Sequence, residues 1–213
     1  MSEMLFKKVD YMVVKLLEDI AVGEIGLPDI QRPFVWDTTR VRDLFDSMYR
    51  GYPIGHLLFW ENGFPGEHRL IGVDAKQKVP HLLIVDGQQR LTALYAVMKG
   101  VPIRDKDFRE RRVRIAFNPL EERFEVANTA IERDVSWIAD ISTLWKSDSY
   151  LYTFISKFLE RLEQRQAVSE ENRNRISQAI QHLSNLKNYP LTALEISMQA
   201  TEEQVAEIFV RIN

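Results

Sequence analysis

Apolar residues recur every three to four positions in six stretches of the chain, which is the spacing of an amphipathic helix. The six predicted helices are centred on residues 13–20, 41–48, 91–98, 151–162, 176–183 and 205–209. Asp10 is the predicted cap of the first helix, and Asp37 or Thr38 that of the second. Thr201 and Gln204 form a capping box, which predicts where the last helix begins.

Short apolar runs predict the strands of a sheet at residues 56–60, 82–85 and 191–196. The runs 113–117 and 123–126 flank an Asn-Pro turn and are expected to form a hairpin. Prolines 28 and 33 exclude helix between the first two helices and favour extended backbone there. The polar stretch 61–78 is expected to be a loop or a loose hairpin.

This order of elements predicts an α/β (α+β) fold. Residues 1–135 are expected to form a small mixed sheet with flanking helices, and residues 136–213 a mainly helical part that returns a last strand and helix to the core. The chain has 213 residues, 45% of them apolar, which is enough to bury a core of its own. Because it ends directly after an apolar helix, we expect it to be a fragment of a longer protein.

Composition excludes several classes of protein. There is no cysteine, so disulfides, thiolate metal sites and cysteine nucleophiles are excluded, and a reducing cytosol is a suitable compartment. The sequence has no signal peptide and no apolar run near the roughly 20 residues that span a bilayer, so we expect a cytoplasmic protein without a membrane segment. A net charge of -3 argues against a dedicated non-specific DNA binder.

The basic cluster at residues 104–114 allows two interpretations. It could contact phosphates, or it could be a solvated, salt-bridged turn in front of a strand. The second interpretation is favoured, because acidic residues are interspersed among the arginines.

The stretch LIVDGQQRLTALYAVMKG, residues 83–100, predicts a strand, a turn and a helix with an anion site at the turn. A helix begins with unpaired N–H groups and the positive end of its dipole, which favour a phosphate. Gly87 allows close approach of the backbone, Arg90 can bind phosphate oxygens in a fork, and Thr92 can add a hydroxyl. Asp86 can hold the arginine or a Mg²⁺-bound water. The alternative is an ordinary turn with Asp86 as N-cap and Arg90 paired with a surface carboxylate.

The stretch IQRPFVW places Gln31 and Arg32 beside Trp36, a set that could bind a base, a phosphate and a ring. The alternative is a structural turn with Trp36 in the core. Arg211 and Asn213 form a third polar group at the end of the last helix.

Other catalytic motifs are weak or missing in the sequence. There is no Walker-type P-loop and no paired-histidine zinc motif. Asp29 together with Asp74 and Lys76 could be read as the acid, acid, lysine set of a metal-dependent nuclease, but such a triplet arises easily by chance.

Three stretches, IQRPFVW, IVDGQQRLTALYAV and IFVRIN, in this order resemble the N-terminal domain of GmrSD-type, modification-dependent restriction endonucleases. That domain belongs to the ParB/sulfiredoxin-like nuclease superfamily, and the flanking DSMYRGYPIGHLLFW also resembles it. The resemblance implies a ParB/sulfiredoxin-like core that binds and hydrolyses a nucleoside triphosphate. The residues that it implies for the site are Asp86, Gly87, Gln88, Gln89 and Arg90, with Gln31 and Arg32 as partners and Arg211 and Asn213 as the third element.

The resemblance also implies a role in type IV-like restriction, as a defence against phage DNA that carries modified bases. DNA would be cleaved by a C-terminal His-Asn-His-type nuclease, fused or separate. We expect Arg90 and the amides after Gly87 to hold the phosphates, Asp86 to orient water or Mg²⁺, Arg32 to complete the charge clamp, and Gln31 to contact base, ribose or phosphate. A nucleotide-responsive DNA-binding module without turnover and a ParB-like nuclease are the alternatives. The preferred base and the oligomeric state stay open, and a homo-oligomer is one of the states that the sequence allows.

Overall fold

The computed structural model describes residues 4–28, 33–62, 68–70, 79–105, 107, 109–146 and 150–212. The strands in these ranges are β1 (Phe6–Met12), β2 (Ile25–Pro28), β3 (Leu57–Glu61), β4 (His68–Leu70), β5 (Leu82–Asp86), β6 (Ile103–Arg104), β7 (Glu110–Arg111), β8 (Ile115–Asn118), β9 (Arg123–Val126) and β10 (Pro190–Ile196). The α-helices are α1 (Val13–Ala21), α2 (Thr38–Tyr49), α3 (Gln88–Lys99), α4 (Thr129–Arg133), α5 (Leu151–Glu163), α6 (Glu170–Asn185) and α7 (Glu202–Ile212). Short 3-10 helices lie at Ile141–Trp145 and Leu186–Asn188.

Six strands form one mixed sheet in the order β1-β10-β3-β5-β2-β4. β2 runs parallel to β5, β10 runs parallel to β3, and the other neighbours are antiparallel. The predicted α/β class is therefore confirmed. The last strand lies between the first strand and β3, so residues far apart in the chain share one sheet. The predicted division of the chain at residue 135 stays a prediction.

The two faces of the sheet are covered differently. The face that carries Phe59 and Ile84 packs against α1, α2, α3, α5 and α6 in the main hydrophobic core. The opposite face carries Leu58 and Val85 and contacts Val205 and Ile208 of α7 in a smaller cluster. Alternate residues of a strand point to opposite faces, which is why neighbouring residues of β3 and β5 belong to different clusters.

The locally encoded elements agree with the sequence predictions. Asp37 caps α2, because its Oδ1 accepts a hydrogen bond of 2.7 Å from the amide of Arg40. The capping box of α7 is confirmed as well: the amide of Thr201 donates to Oε1 of Gln204 at 3.0 Å, and the amide of Gln204 donates to Oγ1 of Thr201 at 3.3 Å. β8 and β9 form the predicted antiparallel hairpin.

One prediction about the chain outside these elements is wrong. Asp10 does not cap α1; it lies in β1, where its Oδ1 accepts a 2.7 Å hydrogen bond from the Thr192 hydroxyl, and α1 begins after Met12 without a side-chain cap. Within the stretch 61–78, predicted to be a loop or a loose hairpin, β4 pairs with β2 at the edge of the sheet, and residues 63–67 and 71–78 lie outside the described residues. None of the helices in the described ranges has the length and apolarity that crossing a membrane requires.

Candidate functional site

The topology brings several elements together at one end of the central strands of the main sheet. β5 ends at Asp86, and the parallel strand β2 ends beside it, since Gly26 pairs with Leu83. β3 is antiparallel to β5 and begins at this end with Leu57. The carboxyl ends of parallel strands are where open α/β sheets bind ligands. The described part of the chain therefore has its candidate site where Asp86 enters the turn before α3.

Gly87 makes this turn. It has a φ of 89°, in the left-handed region that favours glycine, and it is the N-cap residue of α3. A Cβ at this position would lie only 2.4 Å from Cδ2 of Leu57. No side chain caps α3, and its first turn contains no acidic residue. The alternative in which Asp86 is the N-cap is therefore wrong, and the positive end of the helix is not neutralised by a cap.

Arg90 lies half-buried in the first turn of α3. Its Nη1 donates a hydrogen bond of 2.7 Å to the carbonyl oxygen of His56, and its guanidinium packs against Gly55 and Gly87. Burial lowers the pKa of Arg90, and the negative charge of Asp86 opposes this shift. Within the described residues Arg90 has no ion pair at salt-bridge distance, so the alternative of a surface ion pair receives no support there. Among the described residues only Nη1 of this guanidinium has a hydrogen-bond partner, so its other N–H groups are suited to bind an anion.

Gln89 connects the turn to the loop that follows β2. Its Oε1 accepts a hydrogen bond of 2.8 Å from the amide of Val35, and its Nε2 donates one of 3.0 Å to the carbonyl oxygen of Pro33. The segment that contains the sequence PFVW is thus attached to the first turn of α3. Two of the motifs predicted to meet are in contact through this side chain.

The same loop is fixed on its other side by the β6–β7 ladder. Phe34 forms a β-bridge with Asp105, and Arg111 donates to the carbonyl oxygen of Trp36 at 3.3 Å and to the hydroxyl of Thr38. The ring of Trp36 is half-buried, so it belongs to the wall of the core. The structural alternative for IQRPFVW predicted this packing of Trp36 against the core.

Two arginines of the basic cluster at residues 104–114 form surface ion pairs. Arg112 pairs with Asp140 at 3.2 Å, and Arg114 pairs with Glu132 at 2.5 Å. For these two arginines the favoured interpretation of a salt-bridged turn is confirmed.

The remaining predicted site residues differ in how they are placed. Gln88 is the half-buried first residue of α3, and Thr92 is buried, with an Oγ1 that has no hydrogen-bond partner among the described residues. Arg211 is exposed on α7 and pairs with Glu207 at 2.5 Å. Val205 of the same helix belongs to the small hydrophobic cluster against which Val85, the residue before Asp86, packs. Other predicted residues lie outside the described residues, and their predictions stay open: Asp29, Gln31, Arg32, Asp74, Lys76 and Asn213.

A Mg²⁺ ion would have few protein ligands here. Among the described residues there is no group of three or more histidine, aspartate or glutamate side chains that could hold a metal. Asp86 supplies one half-buried carboxylate. This donor set does not form a protein cage for a metal, but it fits Mg²⁺ that takes most of its ligands from phosphate oxygens and water.

Sequence reasoning did not identify Gly55 and His56 as site residues. Both contact the guanidinium of Arg90. Gly55 has a φ of 89°, and its Cα faces the guanidinium directly. The signal that could have identified it is a glycine between a helix stop and a buried strand, where a side chain would block an approaching group.

Comparison with known proteins gives one matching family and a relative of similar sequence. The model of one protein family, described as "GmrSD restriction endonuclease, N-terminal domain", matches residues 13–213. The uncharacterized protein MJ0686 of Methanocaldococcus jannaschii is 33% identical over 92 residues, which are 39% of this chain and 16% of that protein. The aligned part of the chain thus spans a small share of the length of this relative.

Proposed function

Because the chain belongs to the family of GmrSD restriction endonuclease N-terminal domains, we propose that it binds a nucleoside triphosphate at the turn before α3 and hydrolyses it. Family membership links the chain to a restriction system. In our proposal the nucleotide state of this domain regulates restriction of modified DNA, and a C-terminal His-Asn-His-type nuclease, on the same or on a separate chain, cuts the DNA.

The observation that carries this proposal is the state of Arg90. Its guanidinium is half-buried and uses Nη1 for His56, and no described carboxylate neutralises it at ion-pair distance. It stands at the uncapped start of a helix of 12 residues. Two sources of positive potential, the dipole and the guanidinium, therefore act at one place where water is partly excluded. A phosphate group is the ligand that satisfies both.

Three parts of the turn act in the proposed reaction: Asp86, the backbone amides after Gly87, and Arg90. The amides after Gly87 and the fork of Arg90 hold phosphate oxygens and neutralise the charge that develops on them. Asp86 accepts a hydrogen bond from the attacking water, and its carboxylate is the group that would hold Mg²⁺. Arg32 and Gln31, which the resemblance implies as partners, complete the site.

Hydrolysis in this site needs positioning rather than a covalent nucleophile. The oxygen of water forms a bond to the γ-phosphorus while the bond between that phosphorus and the β,γ-bridging oxygen breaks. The products are a nucleoside diphosphate and inorganic phosphate. Bound Mg²⁺ supplies charge neutralisation at the phosphates.

The test is phosphate release from ATP, GTP, CTP and UTP by the purified chain with Mg²⁺, together with calorimetric titration of each nucleotide. We expect Arg90→Ala to reduce turnover by about 100-fold, as the loss of one preorganised donor does in other sites. Arg90→Lys should recover part of the affinity, because it keeps the charge but not the fork. Arg50→Ala is the matched control, since Arg50 is an exposed arginine that pairs with Asp46 on α2.

Three results would contradict parts of the proposal. Binding that is lost in Arg90→Ala, without phosphate release by the unchanged chain, would replace the enzyme with a nucleotide-responsive DNA-binding module. Metal-dependent nicking of plasmid DNA by the chain would favour the ParB-like nuclease. No affinity for any of the four nucleotides would reject the site itself.

A further inference from the structure

The side chain amide of Gln89 is engaged at both ends by backbone groups more than 50 positions earlier in the chain. Oε1 accepts from the amide of Val35 at 2.8 Å, and Nε2 donates to the carbonyl of Pro33 at 3.0 Å. Both distances are those of ordinary hydrogen bonds. These bonds fix the orientation of the amide, and one N–H and one lone pair of it are left over, so direct contact with a nucleotide has to be tested separately.

The geometry points to Gln89 as a positioning residue. It locks residues 33–35 onto the first turn of α3, next to Arg90, so that this segment forms a fixed wall of the phosphate site. The part of this inference that concerns nucleotide affinity rests on the proposed function. Direct contact of Gln89 with the nucleotide, which the family resemblance implies, is the competing role.

The two hydrogen bonds of Gln89 with Val35 and Pro33 are called the bracket below. The surroundings of the bracket show what else holds the segment 33–35. Phe34 is buried and forms a β-bridge with Asp105, so the segment is anchored on the side of the β6–β7 ladder. Val35 is 54% exposed, and its N–H would otherwise be open to water. Pro33 has no N–H and can join a hydrogen-bonded pairing only through its carbonyl. A glutamine amide, with one acceptor and one donor end, is complementary to this pair of backbone groups.

The first test measures the bracket without any nucleotide. In Gln89→Met, hydrogen exchange of the Val35 amide, followed by NMR on the full chain, should become faster by on the order of tenfold, as expected when one hydrogen bond is lost. Gln181→Met is the matched control for a glutamine-to-methionine change, because Gln181 is exposed on α6, and it should leave exchange at Val35 unchanged.

A second variant tests the donor end of the bracket. In Gln89→Glu the ionised carboxylate can accept from Val35 but cannot donate to the carbonyl of Pro33, whereas the protonated acid can do both. The exchange rate of the Val35 amide in Gln89→Glu, divided by that of the unchanged chain at the same pH and without nucleotide, should therefore fall as the pH falls. Because no phosphate is present in this measurement, repulsion between a carboxylate and the nucleotide cannot produce this pH dependence.

The affinity measurement uses the nucleoside triphosphate that the unchanged chain binds best. We expect Gln89→Met to weaken binding by about tenfold while the chain stays folded, because the wall of the site is no longer held. Faster exchange at Val35 together with weaker binding supports the inference.

Other outcomes reject it in distinguishable ways. Weaker binding with unchanged exchange at Val35 would show that Gln89 contacts the nucleotide directly. Faster exchange with unchanged binding would show that the site does not depend on the bracket. If the unchanged chain binds none of the nucleotides while exchange at Val35 responds as expected, the proposed function fails and the bracket stands as a structural device.

Discussion

Gly55 and Arg90 are packed so closely that a Cβ on the glycine would lie 2.8 Å from Nη2 of the arginine. The loop between α2 and β3 therefore sets the position of the guanidinium in two ways. It offers the carbonyl of His56 as a hydrogen-bond acceptor, and it leaves room for Nη2 by having no side chain at residue 55. The two residues lie on different elements, so the site is assembled by the fold and not by the DGQQR turn alone.

Gly55→Ala should weaken nucleotide binding by about tenfold or more, since small displacements of a phosphate-binding group have large effects. Gly51→Ala is the matched control: Gly51 lies in the same loop with a φ of 70°, and a Cβ there meets no atom within 4 Å. Both variants should lose about 1–2 kcal/mol of stability through backbone strain. Calorimetric titration and urea unfolding measure the two effects. Equal loss of affinity in both variants would reject the role of Gly55.

Gly87→Ala should destabilise the chain by about 2–4 kcal/mol, because it combines an unfavourable φ of 89° with the contact of 2.4 Å to Cδ2 of Leu57. The steric part can be separated with Leu57→Ala. We expect the double variant to lose at least about 1 kcal/mol less than the two single variants together, as measured by urea unfolding. Additive losses would mean that backbone strain alone explains the effect.

Thr92→Val tests whether the buried hydroxyl of Thr92 is reserved for a ligand. Without nucleotide, Oγ1 has no hydrogen-bond partner among the described residues, so a methyl group of similar size should keep or raise stability, by up to about 1 kcal/mol. If the hydroxyl contacts a phosphate, as predicted, affinity should fall by about tenfold at the same time. Raised stability with unchanged affinity would show that the Thr92 hydroxyl does not contact the nucleotide.

Local signals explain which parts of the fold could be predicted from the sequence. α2 and α7 have a polar cap at the start and an apolar face, both of which are encoded within a few residues. β1 could not be predicted in this way, because its pairing partner β10 lies at the other end of the chain. The Tyr11 hydroxyl, for example, donates to Glu195 across 184 positions. The sequence predicts Asp10 as a helix cap because that interpretation needs only the neighbouring residues.

The same distinction holds for the candidate site. The turn from Asp86 to Arg90 is a continuous motif, and its strand, glycine and helix start are where the sequence predicted them. The contacts of Gln89 with Pro33 and of Arg90 with His56 join residues 56 and 34 positions apart, and they depend on how β2, β3 and β5 are ordered in the sheet. No property of the separate motifs specifies that order.

The stability of the chain should depend on pH through Glu61. Its Oε1 accepts a hydrogen bond of 2.7 Å from Nζ of Lys7, and this contact lowers the pKa of Glu61 below the ordinary value of 4.5. A lowered pKa in the folded state means that the unfolded chain binds protons more readily. The contribution of Glu61 is therefore present above its unfolded pKa and is lost as the pH falls through its folded pKa.

Glu61→Gln should accordingly make the loss of stability between about pH 5 and pH 3 less steep. The difference should be at most about 1 kcal/mol, because Lys7 is 58% exposed and solvent screens the pair. Urea unfolding at a series of pH values measures the slope. Glu160→Gln, which removes one carboxylate from an exposed position of α5, is the control and should keep the slope of the unchanged chain. If the free energy of unfolding of Glu61→Gln falls as steeply with decreasing pH as that of the unchanged chain, the pair with Lys7 does not contribute to folding.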